Sequence, residues 1–461
     1  MLGRCRRSKR VKRALVLFVI AALNVVAYSG VYNYPIRFWP KWNYSPSSQE
    51  ALHESGREPD NLVLVAARDM STMMTVSWRT SEDVSDGVVQ CFPADANGLA
   101  ETIEEPACSK LLFCDELKTD KTVYCHSATL ANLRPGTTYW YRAGSPTENA
   151  WSEYRSFKTP EAKPDSFSFV FFGDTQVGFD AFSELLADVD ERHPDVAFYM
   201  IGGDLVDRGE FRNLWDEFMT GSGFFFSRTP FAPVMGNHDF GKGDVGARLF
   251  NSYFPIPGSA CRPTERAVNY SYQAGGVFFA VVNDPGAESG AEWLEGELAA
   301  AEEIGYDFKV VANHYPIFNV KPSRDDRTRQ ELWMPIFDKY GVGLVLSGHD
   351  HSYMRSRPIH ADRRMGGDDS GTVYVVANAS TKHNDFKRID VAEAQFTDQS
   401  TYQVVTVTRD KDGKASLHYA AYDENGTLVD EIRFGERGKR FLRAESEQRN
   451  AFADMLAITL P

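Results

Sequence analysis

Five short motifs carry the residues best suited to chemistry: Gly173-Asp174-Thr175-Gln176, Gly203-Asp204-Leu205-Val206-Asp207-Arg208, Gly236-Asn237-His238-Asp239, Asn313-His314 and Gly348-His349-Asp350-His351. They are expected just past the carboxyl ends of buried strands, where α/β sheets build their ligand sites. Two aspartates, an asparagine and three histidines exceed what one tetrahedral ion with an open position needs. Two ions sharing a bridging carboxylate would use them all. The neighbouring glycines let the backbone turn sharply and leave room for ions and substrate. Taken singly, Asp174 is an ordinary helix cap, Asn237 a turn residue and His314 a hydrogen-bonded, partly buried histidine. Capping does not explain why histidines recur at three strand ends.

The elements that must position these residues are legible as apolar runs. Phe167 to Phe172, Val196 to Ile201, Val277 to Val282, Phe308 to Ala312, Val342 to Leu346 and Val373 to Ala377 predict buried strands. Amphipathic segments between several of them, such as Trp293-Leu294 with Leu298, predict helices, and together they give an α/β layered domain over residues 165–434. Residues 60–160 are different: Met74, Val76 and Trp78 alternate with polar neighbours, as expected of an all-β sandwich. The stretch Leu130-Ala131-Asn132-Leu133-Arg134-Pro135-Gly136-Thr137-Thr138-Tyr139 resembles the turn-and-tyrosine element of fibronectin type III domains, in which the tyrosine pins the turn by a hydrogen bond. Residues 37–59, rich in Ser, Pro and charge, are expected to be a linker, and 435–461 a helical tail.

Composition excludes several classes. The 461 residues are 43% hydrophobic and 25% charged, as in ordinary globular chains, and the net charge of −14 argues against nucleic-acid binding. Seven basic residues within positions 1–13 precede an uncharged stretch from Ala14 to Ile36, so residues 1–36 are expected to be a signal peptide or a retained signal anchor. The body is then extracytoplasmic, either secreted or held at the membrane by the N-terminal helix. Cys91, Cys108, Cys114 and Cys125 cluster in the front domain, where disulfides are expected in an exported protein, while Cys5 and Cys261 stand apart. Asn43, Asn269, Asn378 and Asn425 lie in glycosylation sequons.

The five motifs in this order resemble the calcineurin-like metallophosphoesterase family. With the fibronectin-like domain in front, and Gly348-His349-Asp350-His351-Ser352-Tyr353-Met354-Arg355 followed by Pro358, the chain looks most like the purple acid phosphatase branch. The resemblance implies a metallophosphoesterase sandwich of mixed β-sheets flanked by helices. It also implies a dinuclear metal centre hydrolysing small phosphorylated substrates, phosphate monoesters first, by in-line attack of a metal-activated hydroxide. A phosphodiesterase or nucleotidase with the same site, or a non-catalytic surface module with a vestigial site, is the alternative. Carried over residue by residue, Asp174, Asp204 and His351 would hold one ion and Asn237, His314 and His349 the other, with Asp204 bridging. His238 would meet the substrate phosphate, with Asp239 as its orienter. Arg208 is a phosphate clamp or a plain surface ion pair.

Two positions depart from the pattern. A tyrosine ligand three residues after the bridging aspartate is replaced by Asp207, which removes the source of charge-transfer colour. A histidine common two residues after the first aspartate is replaced by Gln176. A carboxylate at Asp207 and a carbonyl at Gln176 would make an oxygen-rich first site. Such a site favours two divalent or mixed-valence ions, with Mn, Fe or Zn the expected metals.

Overall fold

The computed structural model describes residues 50–96, 101–241, 244–257, 267–362 and 371–435. The expected signal or anchor segment, Cys5, Cys261, Asn43 and the tail from residue 436 lie outside the described residues. Among those described, no helix is long and apolar enough to cross a membrane.

Two mixed sheets face each other. One has ten strands, in the order Leu428–Gly435, Ala415–Asp423, Thr401–Arg409, Ser166–Phe172, Tyr199–Ile201, Phe231–Pro233, Asp60–Val65, Met74–Ser81, Thr122–Leu130 and Cys108–Phe113. The other has seven, with Val277–Val282, Phe308–Asn313, Leu344–Ser347 and Val373–Val376 running parallel at its centre. The strand Ser166–Phe172 shows why its run of apolar residues is unbroken. Phe167, Phe169 and Phe171 point into the core between the sheets, while Val170 and Phe172 point into the core beneath the helices. Phe169 stacks on Phe198 with ring centroids 5.0 Å apart, and both meet Phe279 of the opposing sheet edge-on.

Helices cover the outer faces. Phe179–Arg192 buries Phe179, Phe182, Leu185, Leu186 and Val189, the i, i+3, i+4 spacing of one helical stripe. Asp180 in its first turn and Arg192 in its last suit the helix dipole. Ala287–Ile304 and Thr328–Tyr340 cover the seven-stranded sheet through Leu294, Leu298, Trp333 and Phe337.

The front sandwich is not a detached module. Its strand Asp60–Val65 runs parallel to Phe231–Pro233, so the ten-stranded sheet crosses from the front region into the α/β region. A buried charge network reinforces the seam. Arg79 makes a bidentate pair with Asp60 (2.8 and 2.7 Å) and reaches Asp216 of helix Arg212–Phe226 at 2.6 Å. Arg212 bonds Asp120 at 2.7 Å, and the Tyr253 hydroxyl donates to Asp216 at 3.1 Å. The expected tyrosine pin is present, with the Arg134 N–H donating to the Tyr139 hydroxyl at 2.7 Å.

Two expectations need correction. The last part of the linker is tied down: the Ala51 N–H donates to Thr119, the Leu52 N–H to Asn213, and Ser55 to Asp120 through both backbone and side chain. The expected disulfides do not form among the described residues, where Cys91, Cys114 and Cys125 are free buried thiols. Register explains this. Lys110 pairs with Cys125, so Cys114 lies four positions along that ladder from the residue opposite Cys125 and Cys108 two positions the other way, and neither stands directly across from it. Cys91 packs in a different core. Burial pushes the Cys91 and Cys125 thiols up to about 12, so they behave as small apolar residues.

Candidate metal centre

Parallel order in both sheets brings the carboxyl ends of Ser166–Phe172, Tyr199–Ile201, Phe231–Pro233, Phe308–Asn313 and Leu344–Ser347 to one edge, and the five motif loops converge there. Close packing is what the glycines permit. A Cβ on Gly348 would lie 2.1 Å from Asp174 Oδ1, and one on Gly236 2.2 Å from Asp204 Oδ1. The backbone itself is forced: Asp204, His349 and His351 adopt φ of +51°, +74° and +52°, a left-handed conformation that costs side-chain-bearing residues energy and clusters at functional sites.

Six predicted ligands come together in two overlapping groups. One ligand atom from each of Asp204, His314 and His349 lies within 4.8 Å of the others, and the same holds for Asp174, Asp204 and His351. Asp204 belongs to both. His314 Nδ1 donates to the Gly202 carbonyl at 3.0 Å, which turns its Nε2 inward. That nitrogen lies 2.9 Å from His349 Nδ1, 3.1 Å from Asn237 Oδ1 and 3.3 Å from Asp204 Oδ1. In the second group, His351 Nε2 is 3.4 Å from Asp174 Oδ2, an oxygen that is buried and has no hydrogen-bond partner.

Electrostatics point the same way. Burial, with Asp204 close by, pushes the Asp174 carboxyl well above its ordinary range. Burial would raise Asp204 too, but His314 and the His238 N–H at 2.8 Å hold it below that range. His314 is pushed up to about 9 because Asp204 outweighs its burial, whereas burial and then Lys382 pull His351 down to about 3. Burial and His314 likewise keep His349 neutral. Crowded acceptor atoms, an orphaned carboxylate oxygen and two neutral imidazoles form a donor set that fits divalent cations.

Four predicted site residues sit elsewhere or do something else. The Gln176 carbonyl oxygen accepts from Lys382 Nζ at 2.9 Å, so it is not turned to a metal. The Asp207 carboxylate is 42% exposed and outside both ligand groups. It lies 3.4 Å from His238 Nδ1, while the Asp207 carbonyl accepts from that nitrogen at 2.5 Å. Asp207 therefore takes the orienting role expected of Asp239. Asp239 is fully buried and staples two loops by accepting from the Gly236 and Val206 N–H groups at 2.8 and 3.1 Å. Arg208 pairs with Glu210 at 3.1 Å and stacks over Phe211, the ion-pair alternative.

Sequence reasoning missed Asn378. It is buried, bridges to Asp174 across the two sheets, and accepts from His351 Nδ1 at 3.2 Å through Oδ1. Its amide nitrogen is held by the Ser380 and Lys382 carbonyls, so the ring of His351 is oriented from behind. Burial makes this sequon unsuitable for a glycan, unlike exposed Asn425. The signal was available, because Asn378 follows the strand Val373–Val376 by two residues, the same placement as the other motifs.

Comparison with known proteins agrees with this geometry. A family profile for Calcineurin-like phosphoesterase matches residues 167–353, and one for the purple acid phosphatase N-terminal domain matches residues 59–159. An uncharacterized protein of Mycobacterium tuberculosis is 29% identical over 348 residues, 66% of this chain, and the match spans 64% of that relative's length. Purple acid phosphatase 15 of Arabidopsis thaliana is 24% identical over 370 residues, covering 70% of this chain and 68% of the relative. The solved structure of a purple acid phosphatase from yellow lupin seeds superposes with a TM-score of 0.67 at 17% identity, over 85% of this chain and 78% of the lupin chain, which speaks to the fold. The chain thus carries a Calcineurin-like phosphoesterase domain behind a purple acid phosphatase N-terminal domain.

Proposed function

We propose that the protein is an exported two-metal phosphoesterase that hydrolyses phosphate monoesters. The observation that carries this reading is the sharing of Asp204 between two ligand groups, each within 4.8 Å. Asp174, Asp204 and His351 would hold one ion and Asp204, Asn237, His314 and His349 the other. Bound there, two cations would supply Lewis-acid polarisation of the phosphoryl oxygens and ionise a water at neutral pH. His238 has its Nδ1 proton fixed on the Asp207 carbonyl, so its Nε2 faces outward to hold or deliver a proton at the ester oxygen. Its own N–H donates to Asp204 Oδ1, which ties the position of the imidazole to the shared carboxylate. With Asp207 where the branch has a tyrosine, the metal-loaded protein should be colourless in the visible range.

Export is part of the proposal and rests on the seven basic residues ahead of the uncharged stretch Ala14 to Ile36. Fractionation of the expressing cell tests it, and recovery of the body in the cytoplasm counts against it. For the chemistry, elemental analysis should find about two ions per chain, and a phosphoester panel should show turnover of monoesters ahead of bis-esters. A fully folded chain that holds no metal and cleaves neither ester would falsify the reading.

A further inference from the structure

Beside the ligand loop 348–351 lies a corner of three cations that share a single carboxylate, Asp350. Two segments are pinned to this loop. The Val320 and Lys321 N–H groups donate to Asp350 Oδ2 at 2.6 and 3.1 Å, and Arg324 Nη1 donates to Asp350 Oδ1 and to the His349 carbonyl at 2.5 and 2.8 Å. From the other segment, the Asn384 N–H donates to the His351 carbonyl at 2.9 Å and its amide to the Asp350 carbonyl at 3.1 Å. The segments also join directly, through the Lys387 N–H on the Val320 carbonyl at 2.7 Å. This brings Lys321, Arg324 and Lys382 together on the side of the centre formed by Asp174 and His351.

Their charges are not balanced. Buried Asp350 is used by Arg324 and two backbone N–H groups. Among the described residues, no carboxylate lies within ion-pair distance of Lys321 or Lys382. Partial burial, then Arg324 and Lys382, push the Lys321 ammonium below its ordinary value. A second observation is independent of the lysines. Gln176 is fully buried, its carbonyl is fixed on Lys382 Nζ, and its Nε2 has no partner. A buried amide donor without an acceptor, beside an ammonium without an anion, calls for an acceptor supplied from outside the chain.

We propose that Lys321, Arg324, Lys382 and the Gln176 amide form a receptor for a second anionic group of the substrate, a phosphate carried on the leaving group. The inference rests on the phosphoesterase reading and narrows it to esters with two phosphates. His238 is held by Asp204 and Asp207 rather than by these cations, so a substrate that engages His238 and the receptor together carries an anionic group that a simple monoester lacks.

The test uses the full chain and a matched pair, propyl phosphate and 1,3-propanediol bisphosphate. Calorimetric titration of the chelator-treated chain with the bisphosphate should give saturable binding, weakened about tenfold or more by Lys321→Met combined with Lys382→Met. With Mn supplied, the same double variant should lower the ratio of kcat/KM on the bisphosphate to that on propyl phosphate by about tenfold. Lys321→Glu, a charge reversal on a half-exposed side chain, should lower that ratio further and guards against misfolding of the double variant. An absence of binding by the parent chain, or a ratio that the lysine variants leave unmoved, overturns the receptor. Failure of the underlying reading shows differently, as no turnover of propyl phosphate by the metal-supplied parent.

Discussion

Of the buried charge clusters among the described residues, two are built on opposite plans. At the seam between the front sandwich and the α/β region, Asp216 receives Arg79, Arg212 and Tyr253, and Arg79 is itself gripped by both oxygens of Asp60. Every strong charge there meets its opposite, and the residues stand on a regular strand and helix. At the loop edge, ring nitrogens and carboxylate oxygens face one another instead, and Asp174 Oδ2 accepts no hydrogen bond. The backbone there is bent into positive φ at three of the ligands. A closed cluster completes the architecture, whereas an open one leaves its free energy to be recovered by what binds.

The largest test of this contrast is Asp204→Asn. It should remove nearly all turnover and at least one bound ion, read by elemental analysis, because both ligand groups lose their common member. Retention of two ions and full turnover would place the centre elsewhere. Next, Arg79→Ala should strip half-buried Asp60 of its bidentate partner and leave buried Asp216 with only Arg212 and Tyr253, costing about 3 kcal/mol in denaturant unfolding, while the remaining folded protein keeps its metal content. A loss below about 1 kcal/mol would mean that the seam is an ordinary surface contact.

A closed polar site within the sandwich gives the pH test. His126 stacks on Trp78 and is bonded by the Thr80 and Ser109 hydroxyls, and burial pulls it from 6.5 to about 4. As pH falls, the unfolded chain takes up this proton first. The contribution is therefore complete above pH 6.5 and is lost between there and pH 4, by roughly 3 kcal/mol. Replacing His126 with Phe should flatten that part of the stability profile. The smallest effect is expected from Asn378→Ala, which should weaken metal affinity by about 10–100-fold without emptying the ligand set. Metal titration of the variant measures this, and unchanged affinity would assign Asn378 to sheet pairing alone.

Much of the site was legible because strand ends have a local signature. An apolar run followed by Gly-Asp, Gly-Asn-His or Gly-His needs no knowledge of distant partners to be placed at a sheet edge. Five of the six gathered ligands carried that signature, and His314 follows its strand behind Asn313 without a glycine. What failed was the direction of individual side chains. Gln176 and Asp207 have ligand chemistry at ligand-like spacing, yet one oxygen is taken by Lys382, some 200 positions away, and the other carboxylate turns to His238. Asp239 looked like an orienter because it follows His238, but its burial beneath two backbone N–H groups depends on the packing of the Val206 loop. Asn378 was hidden by a competing motif, since its sequon suggested a surface that the fold denies it. The fusion of the two regions into one sheet was invisible for a simpler reason. Strand pairing between Val65 and Phe231 joins residues whose own patterns satisfy either neighbour.

That pairing has a practical corollary for anyone hoping to trim the protein. Excising the front sandwich would strip a parallel neighbour from Phe231–Pro233 and expose raw backbone donors and acceptors in the middle of the fold, an invitation to aggregate. The amino-terminal third is thus less an accessory than a splint, and the shortest fragment worth purifying begins ahead of it.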